Sequence, residues 1–155
     1  MKNKKKEMIY YILVVLWMGV IFFLSSRNAP TSEVESKSIT NIIVDVTNSE
    51  VTGNERYLLV KKVNHIVRKC AHFTEYLILG LLVYLAIKNS SLNIKHKYVV
   101  TVLICFLYAC SDEFHQYFID GRSAQFTDVL IDTMGGFTFI VLNVLKNKIL
   151  IKKNK

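Results

Sequence analysis

One stretch of the chain, from Ser111 to Gly136, carries most of the side chains that could do chemistry. Its ionisable members include Asp112, Glu113, His115, Arg122, Asp128 and Asp132. The runs on either side, residues 98–111 and 133–145, contain no charged residue. Carboxylates and imidazoles enclosed in this way can hold a cation or transfer protons, and an arginine can bind an anion through its guanidinium fork.

A second polar group precedes the apolar run that ends at Ile87, and it consists of Arg68, His72, Glu75 and Tyr76. On a helix, residues three and four apart share a face. Three polar faces follow from this rule: His72, Glu75 and Tyr76; Asp112, His115 and Gln116; and Asp128, Asp132, Gly135 and Phe139. We therefore expect three helices to direct polar stripes towards one another.

The elements that must position these residues are membrane helices. The chain has 155 residues, 52% of them hydrophobic, and a mean hydropathy of +0.30, which is typical of a single integral membrane domain. We predict an all-α, polytopic membrane bundle with four transmembrane helices at about 8–24, 70–87, 98–118 and 127–145. In the outer segment, 25–69, Ile39, Ile42, Ile43 and Val46 recur at helical spacing, which indicates either a short interfacial helix or a loop. From about Glu55, Leu59, Val63, Val67 and Cys70 also recur at helical spacing, which predicts an amphipathic interfacial helix that continues into the second span.

The first predicted span, Met8–Leu24, has 17 residues without a charge and follows four lysines. As a helix it is about 26 Å long, close to the roughly 30 Å of a hydrocarbon core. Arg27 and Pro30 disfavour cleavage after Ala29, so we interpret the segment as a retained anchor and not as a signal peptide.

The distribution of charge predicts the orientation. Twelve of the 20 Lys and Arg residues lie before the first span, in the turn at 88–97 or in the tail, while 11 of the 12 acidic residues lie on the other side. By the positive-inside rule, both termini of this multi-pass protein of the cell membrane are cytoplasmic. The clustering of lysine at the span ends also favours membrane lipids over nucleic acid as the partner of this basic chain.

The same topology predicts where the polar stripes meet. The charge-free parts of spans two, three and four have 12, 14 and 13 residues, which cover roughly two thirds of the hydrocarbon thickness. The remaining third of each span is polar and lies towards the outer surface of the membrane. We therefore expect a polar chamber beneath the outer surface, with Gly80, Gly135 and Gly136 allowing close approach of the helices.

Three interpretations of this chamber remain open. The side chains could form a network that only fixes helix packing, or a binding site in which Arg122 holds a lipid head group or an extracellular ligand. The third interpretation is a metal site made by His72, Glu75, Asp112, His115 and Asp128, whose spacing matches no known metal signature. The three cysteines have no CxxC spacing and predict neither a disulfide framework nor a zinc site, so our expectation is no metal and no cofactor.

Two segments together resemble the VanZ-like family of small bacterial membrane proteins: KCAHFTEYLILG, residues 69–80, and SDEFHQYFIDGRSAQFTDVLIDTMGG, residues 111–136. The family pattern is an HFxxYxxLG helix followed by DExxQ, GR, D and (N/D)xxGG. Its marked positions correspond here to His72, Phe73, Tyr76, Asp112, Glu113, Gln116, Arg122, Asp128, Asp132 and Gly135. Asp132 stands where many members have asparagine.

The resemblance implies a role at the cell surface, because the family's namesake is linked to resistance to the glycopeptide antibiotic teicoplanin. We therefore predict an outward-facing polar pocket that acts on or binds a cell-envelope component, such as a lipid-linked cell-wall precursor or a glycopeptide. The alternative is a membrane-embedded hydrolase or transferase that acts on a lipid-linked substrate through the carboxylate and histidine cluster. Whether the chain is an enzyme stays open at this stage.

Overall fold

A computed structural model describes residues 2–27, 29–47, 51–119, 122 and 124–153, with the backbone alone for residues 2–4 and 29–36. The described residues form five helices and no strand. The helices are α1 (Lys2–Ser25), α2 (Ala29–Thr47), α3 (Gly53–Ile87), α4 (Ile94–Gln116) and α5 (Phe126–Lys153). The predicted all-α class is confirmed.

Four of these helices, α1, α3, α4 and α5, are long and apolar enough to cross a membrane. This agrees with the prediction of a multi-pass bundle. The helix bounds differ from the predicted spans, since α3 begins 17 residues before residue 70, α5 continues eight residues beyond residue 145, and α4 ends two residues before 118. At a rise of 1.5 Å per residue α3 is roughly 52 Å long, so its first half extends beyond a core of about 30 Å.

Local sequence explains the tight link between α3 and α4. The side chain of Asn93 accepts a hydrogen bond from the backbone N–H of His96 at 2.9 Å, which caps the amino end of α4. Lys97 donates from Nζ to the Lys88 carbonyl at 2.6 Å, so a cation satisfies a free acceptor at the end of α3. The two helices therefore run antiparallel, on either side of a short basic turn.

Helix α3 is the centre of the bundle and packs against all four other helices. The core cluster lies mainly at its contacts with α1, α4 and α5, and consists of Ile21, Tyr76, Leu79, Val83, Cys105, Ala109 and Val129. Trp17 of α1 donates its indole N–H to the Glu75 carbonyl of α3 at 2.9 Å. Tyr108 of α4 donates its hydroxyl to the Met18 carbonyl. Helix α1 is thus fixed to the bundle by two aromatic side chains.

Glycines bring α5 very close to α3 and α4. A methyl group at Gly135 would lie 2.2 Å from the Phe73 carbonyl oxygen, and one at Gly136 would lie 2.6 Å from the Cys105 sulfur. A methyl group at Gly80 would lie 3.0 Å from the Gly136 Cα. The backbones of α3 and α5 therefore meet where neither carries a side chain, which is the contact expected for small residues in membrane helices.

The segment between α1 and α3 contains α2, which is longer than the short helix predicted around residues 39–46. Thr40 donates to the side-chain oxygen of Asn64 at 3.2 Å, and Arg56 pairs with Asp45 at 2.7 Å. These contacts hold α2 against the first half of α3. Val44 of α2 is fully buried, whereas Ile39, Ile42 and Val46 are exposed.

Candidate functional site

Four helices converge at one end of the bundle, namely the carboxyl ends of α1 and α4, the amino end of α5 and the middle of α3. A cavity of about 130 Å³ opens there. Six predicted site residues line it: Arg68, His72, Gln116, Arg122, Asp128 and Asp132. Lys69, His65, Gln125 and Ile131 complete the lining. Five of the predicted residues do not line the cavity: Glu75, Tyr76, Asp112, Glu113 and His115.

The deepest part of the site contains one side chain from each of three helices. Possible ligand atoms of His72, Asp112 and Asp132 lie within 4.8 Å of one another. Asp112 is 2% exposed and Asp132 is 1% exposed. Among the described residues, neither carboxylate oxygen of Asp132 has a hydrogen-bond partner, and the same holds for Oδ1 of Asp112 and Nδ1 of His72. Buried polar atoms normally have partners, so this concentration of unpaired acceptors is unusual.

A hydrogen-bonded chain links this cluster to the rim of the cavity. Arg122 donates from Nη1 to the side-chain oxygen of Gln116 at 3.1 Å, and Gln116 donates from Nε2 to Asp112 Oδ2 at 3.0 Å. The two bonds fix the orientation of the Gln116 amide and direct the other Asp112 oxygen away from Gln116. Arg122 therefore positions Asp112 through Gln116, although it does not contact the carboxylate itself.

The rim of the cavity is mainly cationic. Lys69 is paired with Asp128, with Nζ and Oδ1 2.8 Å apart. Burial lowers the pKa of the Arg122 guanidinium, and the neighbouring charge of Arg68 lowers it further. Arginine stays protonated in proteins. The charges of Asp112, Glu113 and Glu75 raise the pKa of Arg122 again, so its guanidinium lies in a partly desolvated place near charges of both signs.

The five predicted residues outside the cavity lining have other contacts. Glu113 Oε2 accepts from the Gln125 backbone N–H at 2.8 Å, which ties α4 to the residue before α5. His115 stacks on Phe22 of α1, with ring centroids 4.3 Å apart. Asp112, as described, belongs to the deep cluster.

Glu75 and Tyr76 lie on the α3 side of the cluster. Glu75 Oε2 is 3.7 Å from His72 Nδ1, too far for a hydrogen bond. The Tyr76 ring is fully buried, 6.1 Å from the Tyr108 ring, and its hydroxyl has no partner in the described part of the chain. Both side chains are therefore neighbours of the cluster and not part of the cavity wall.

Sequence reasoning did not select His65 and Ser25. His65 is seven residues before His72, two helical turns away on the same face, so the spacing could have identified it. Ser25 is fully buried at the end of α1 and lies against Asp112, but its hydroxyl makes no well-aligned hydrogen bond to a described residue. No charge or motif in α1 signals this contact.

Exposed aromatic side chains surround this end of the bundle. Phe114, Tyr117, Phe118 and Phe126 are each about two thirds exposed. Phe118 packs edge-on against both Phe114 and Tyr117, with ring centroids 5.2 and 5.4 Å away. Aromatic residues of membrane proteins are enriched at the lipid–water interface. The belt is consistent with a site at the depth of the lipid head groups.

Comparison with protein families identifies the family of the chain. A family model described as VanZ/LLP1 matches residues 10–147, which is most of the chain and includes every side chain of the site. No curated protein and no solved structure matches the chain.

Proposed function

The chain belongs to the VanZ/LLP1 family, and from this premise we propose that it is a cell-membrane protein that binds the anionic head group of a cell-envelope component. The head group would be a phosphate or diphosphate, as in a lipid-linked cell-wall precursor. The proposal rests on one observation: the neighbouring guanidinium groups of Arg68 and Arg122 both line the small cavity at this end of the bundle.

An anion between these two arginines would relieve their repulsion. Arg122 is partly buried, and its Nε has no hydrogen-bond partner among the described residues. A guanidinium presents its N–H groups in a fork that matches two oxygens of a phosphate. Because Lys69 is already neutralised by Asp128, the two arginines are the cations of the rim that an incoming anion would meet.

The size of the cavity selects among ligands. The cavity has a volume of about 130 Å³. Pockets for drug-sized ligands measure about 300–1,000 Å³. A phosphate group therefore fits, whereas a whole glycopeptide would not enter. Any link to teicoplanin would then act through the envelope component and not through enclosure of the antibiotic in this cavity.

We also propose that the site faces the outside of the cell. Support comes from the opposite end of the bundle, where the lysines of the 88–97 turn and of the end of α5 lie. The positive-inside rule places such segments in the cytoplasm. An amphiphilic lipid in the outer leaflet could then place its head group in the cavity while its chain stays in the bilayer, next to the exposed aromatic belt.

The test is binding of a short-chain polyprenyl phosphate to the purified protein in nanodiscs, with the matching prenyl alcohol as the uncharged probe. We expect the phosphate alone to bind. Removal of one charged hydrogen-bond donor costs about 1.5–3 kcal/mol, so Arg122→Ala and Arg68→Ala should each weaken binding by about tenfold or more. Arg56→Ala is the matched control, because Arg56 pairs with Asp45 on α2 and does not line the cavity.

Two results would contradict the proposal. One is equal binding of the phosphate and the alcohol, which would mean that only the chain is recognised. The other is unchanged phosphate binding by both arginine variants. The use of Arg68→Ala matters, because Arg122 also orients Gln116 and its loss could act indirectly.

A further inference from the structure

We infer that His72, Asp112 and Asp132 form a binding site for one divalent transition-metal ion, of the Zn²⁺ or Mn²⁺ type. This inference goes beyond the binding of an anionic head group and does not depend on it, because it rests on different atoms. It also differs in its residues from the metal set considered from the sequence alone.

The geometry suits a metal ion. The three ligand atoms lie within 4.8 Å of one another, so an ion at the centre of the triangle would be at most about 2.8 Å from each. Bonds from zinc to nitrogen or oxygen are about 2.0–2.2 Å. A shift of about 0.6 Å in each side chain closes the difference.

The unpaired atoms are the second and independent observation. Asp132 is 99% buried, and both of its oxygens lack a hydrogen-bond partner in the described structure. One oxygen of Asp112 and Nδ1 of His72 also lack a hydrogen-bond partner among the described residues. A network that only fixed helix packing would pair these acceptors with donors, because unpaired buried polar groups destabilise the fold. A cation bound by the three side chains would supply the missing partner of each ligand atom that it contacts.

Charge and ligand chemistry lead to the same class of ion. Two carboxylates supply two negative charges, which a divalent ion neutralises. Imidazole favours zinc and other transition metals, while carboxylate oxygens also suit manganese. His72 and Asp132 line the cavity as well, so an ion held here would keep a coordination position open towards it.

The surroundings support one specific set of ligands. Gln116 holds one oxygen of Asp112 and is itself held by Arg122, which is the kind of outer contact that orients a metal ligand. Asp128 is occupied by Lys69, and the His115 ring packs on Phe22, so neither joins the three ligand atoms. In the proposed site Asp132 therefore replaces Asp128 and His115 of the metal set that was considered from the sequence.

The experiment measures metal in the purified full chain. Elemental analysis should find about one Zn or Mn per chain, and after removal with a chelator the protein should take up one equivalent of Mn²⁺, read from the loss of the free-ion paramagnetic resonance signal. Asp132→Asn and Asp112→Asn keep the side-chain shape and should weaken Mn²⁺ binding by more than about 100-fold. Gln116→Ala removes only an orienting contact and should weaken it by about 10–100-fold.

Asp45→Asn is the matched control, because Asp45 is an acid that pairs with Arg56 between α2 and the first half of α3, away from the cluster. Its Mn²⁺ affinity should equal that of the wild type. Thermal unfolding with and without Mn²⁺ guards against misfolding, since a folded Asp132→Asn variant should keep a clear transition that no longer responds to the ion. The inference is overturned if the wild type binds no stoichiometric ion, which would mean that protons neutralise the carboxylates, or if folded Asp132→Asn binds Mn²⁺ as tightly as the wild type.

Discussion

A methyl group added at Gly135 should separate α5 from α3 and thereby disturb the site as well as the fold. In Gly135→Ala the new Cβ would lie 2.2 Å from the Phe73 carbonyl oxygen and 3.0 Å from the Leu77 backbone nitrogen. Ordinary van der Waals contact begins at about 3.4 Å. Because both obstacles are backbone atoms, no side-chain rotation can make room, and the helices must move apart by about 1.2 Å.

The size of the effect follows from this displacement. Overpacking of a well-packed interior typically costs about 1–3 kcal/mol. A loss of 2 kcal/mol changes the equilibrium between folded and unfolded protein by about 30-fold. The same movement would lengthen the contact between Lys69 of α3 and Asp128 of α5, now 2.8 Å, to about 4 Å if it occurs along that direction. The ion pair at the rim of the cavity would then be weakened, because its hydrogen bond would be too long.

The assay is thermal unfolding in detergent followed by circular dichroism, with Gly19→Ala as the matched control. Gly19 lies within α1, and a Cβ there would have nothing within 4 Å. That substitution should be neutral or stabilising by up to about 1 kcal/mol, because alanine favours helix more than glycine does. Gly135→Ala should unfold several degrees lower. If the two variants have equal stability, the packing of α5 against α3 does not require glycine at position 135, and our reasoning is wrong.

Two further predictions concern α2 and the orientation in the membrane. Thr40→Val should destabilise the fold by about 1–3 kcal/mol, because it leaves the Asn64 side chain buried without its donor. The double variant Thr40→Val with Asn64→Leu should have a stability close to that of the wild type in the same unfolding assay. Additive losses of stability would contradict the role of the buried pair. In a cysteine-free background, Thr127→Cys should react with an impermeant maleimide on intact cells, and Lys95→Cys should react only after permeabilisation. The reverse pattern would place the site in the cytoplasm.

The convergence of polar residues could be predicted from the sequence because it follows from one general rule. Membrane helices bury their charged residues against one another, since lipid solvates them poorly. The periodicity of α3, α4 and α5 then decides which faces meet. The family match is confirmed, as is the helical fold class with four helices of spanning length. The functional role of the predicted site residues stays a prediction.

The finer contacts could not be predicted, because periodicity gives a face and not a partner. Asp112, His115 and Gln116 share one side of α4, yet Asp112 lies in the cluster with His72 and Asp132, while the His115 ring packs on Phe22 of α1. The amphipathic segment predicted from about residue 55 forms the first half of α3, and its charges explain why the predicted membrane span begins only at residue 70. A helix can continue beyond the bilayer wherever its polar face meets water. Only the charge-free part of such a helix reveals its depth.

The glycines that allow α5 to pack closely against α3 also determine the distance between His72 and Asp132, the ligand residues on these two helices. Asp132 is three residues before Gly135 and four before Gly136, so all three lie on one face of α5. The opposing face of α3 carries His72 and, two turns later, Gly80, which meets Gly136. With larger residues at these positions the two helices would stand further apart, and the atoms of His72 and Asp132 would be beyond the reach of one ion. The glycines are therefore a requirement of the proposed site, and a variant that separates the helices should lose Mn²⁺ binding before it loses helix content.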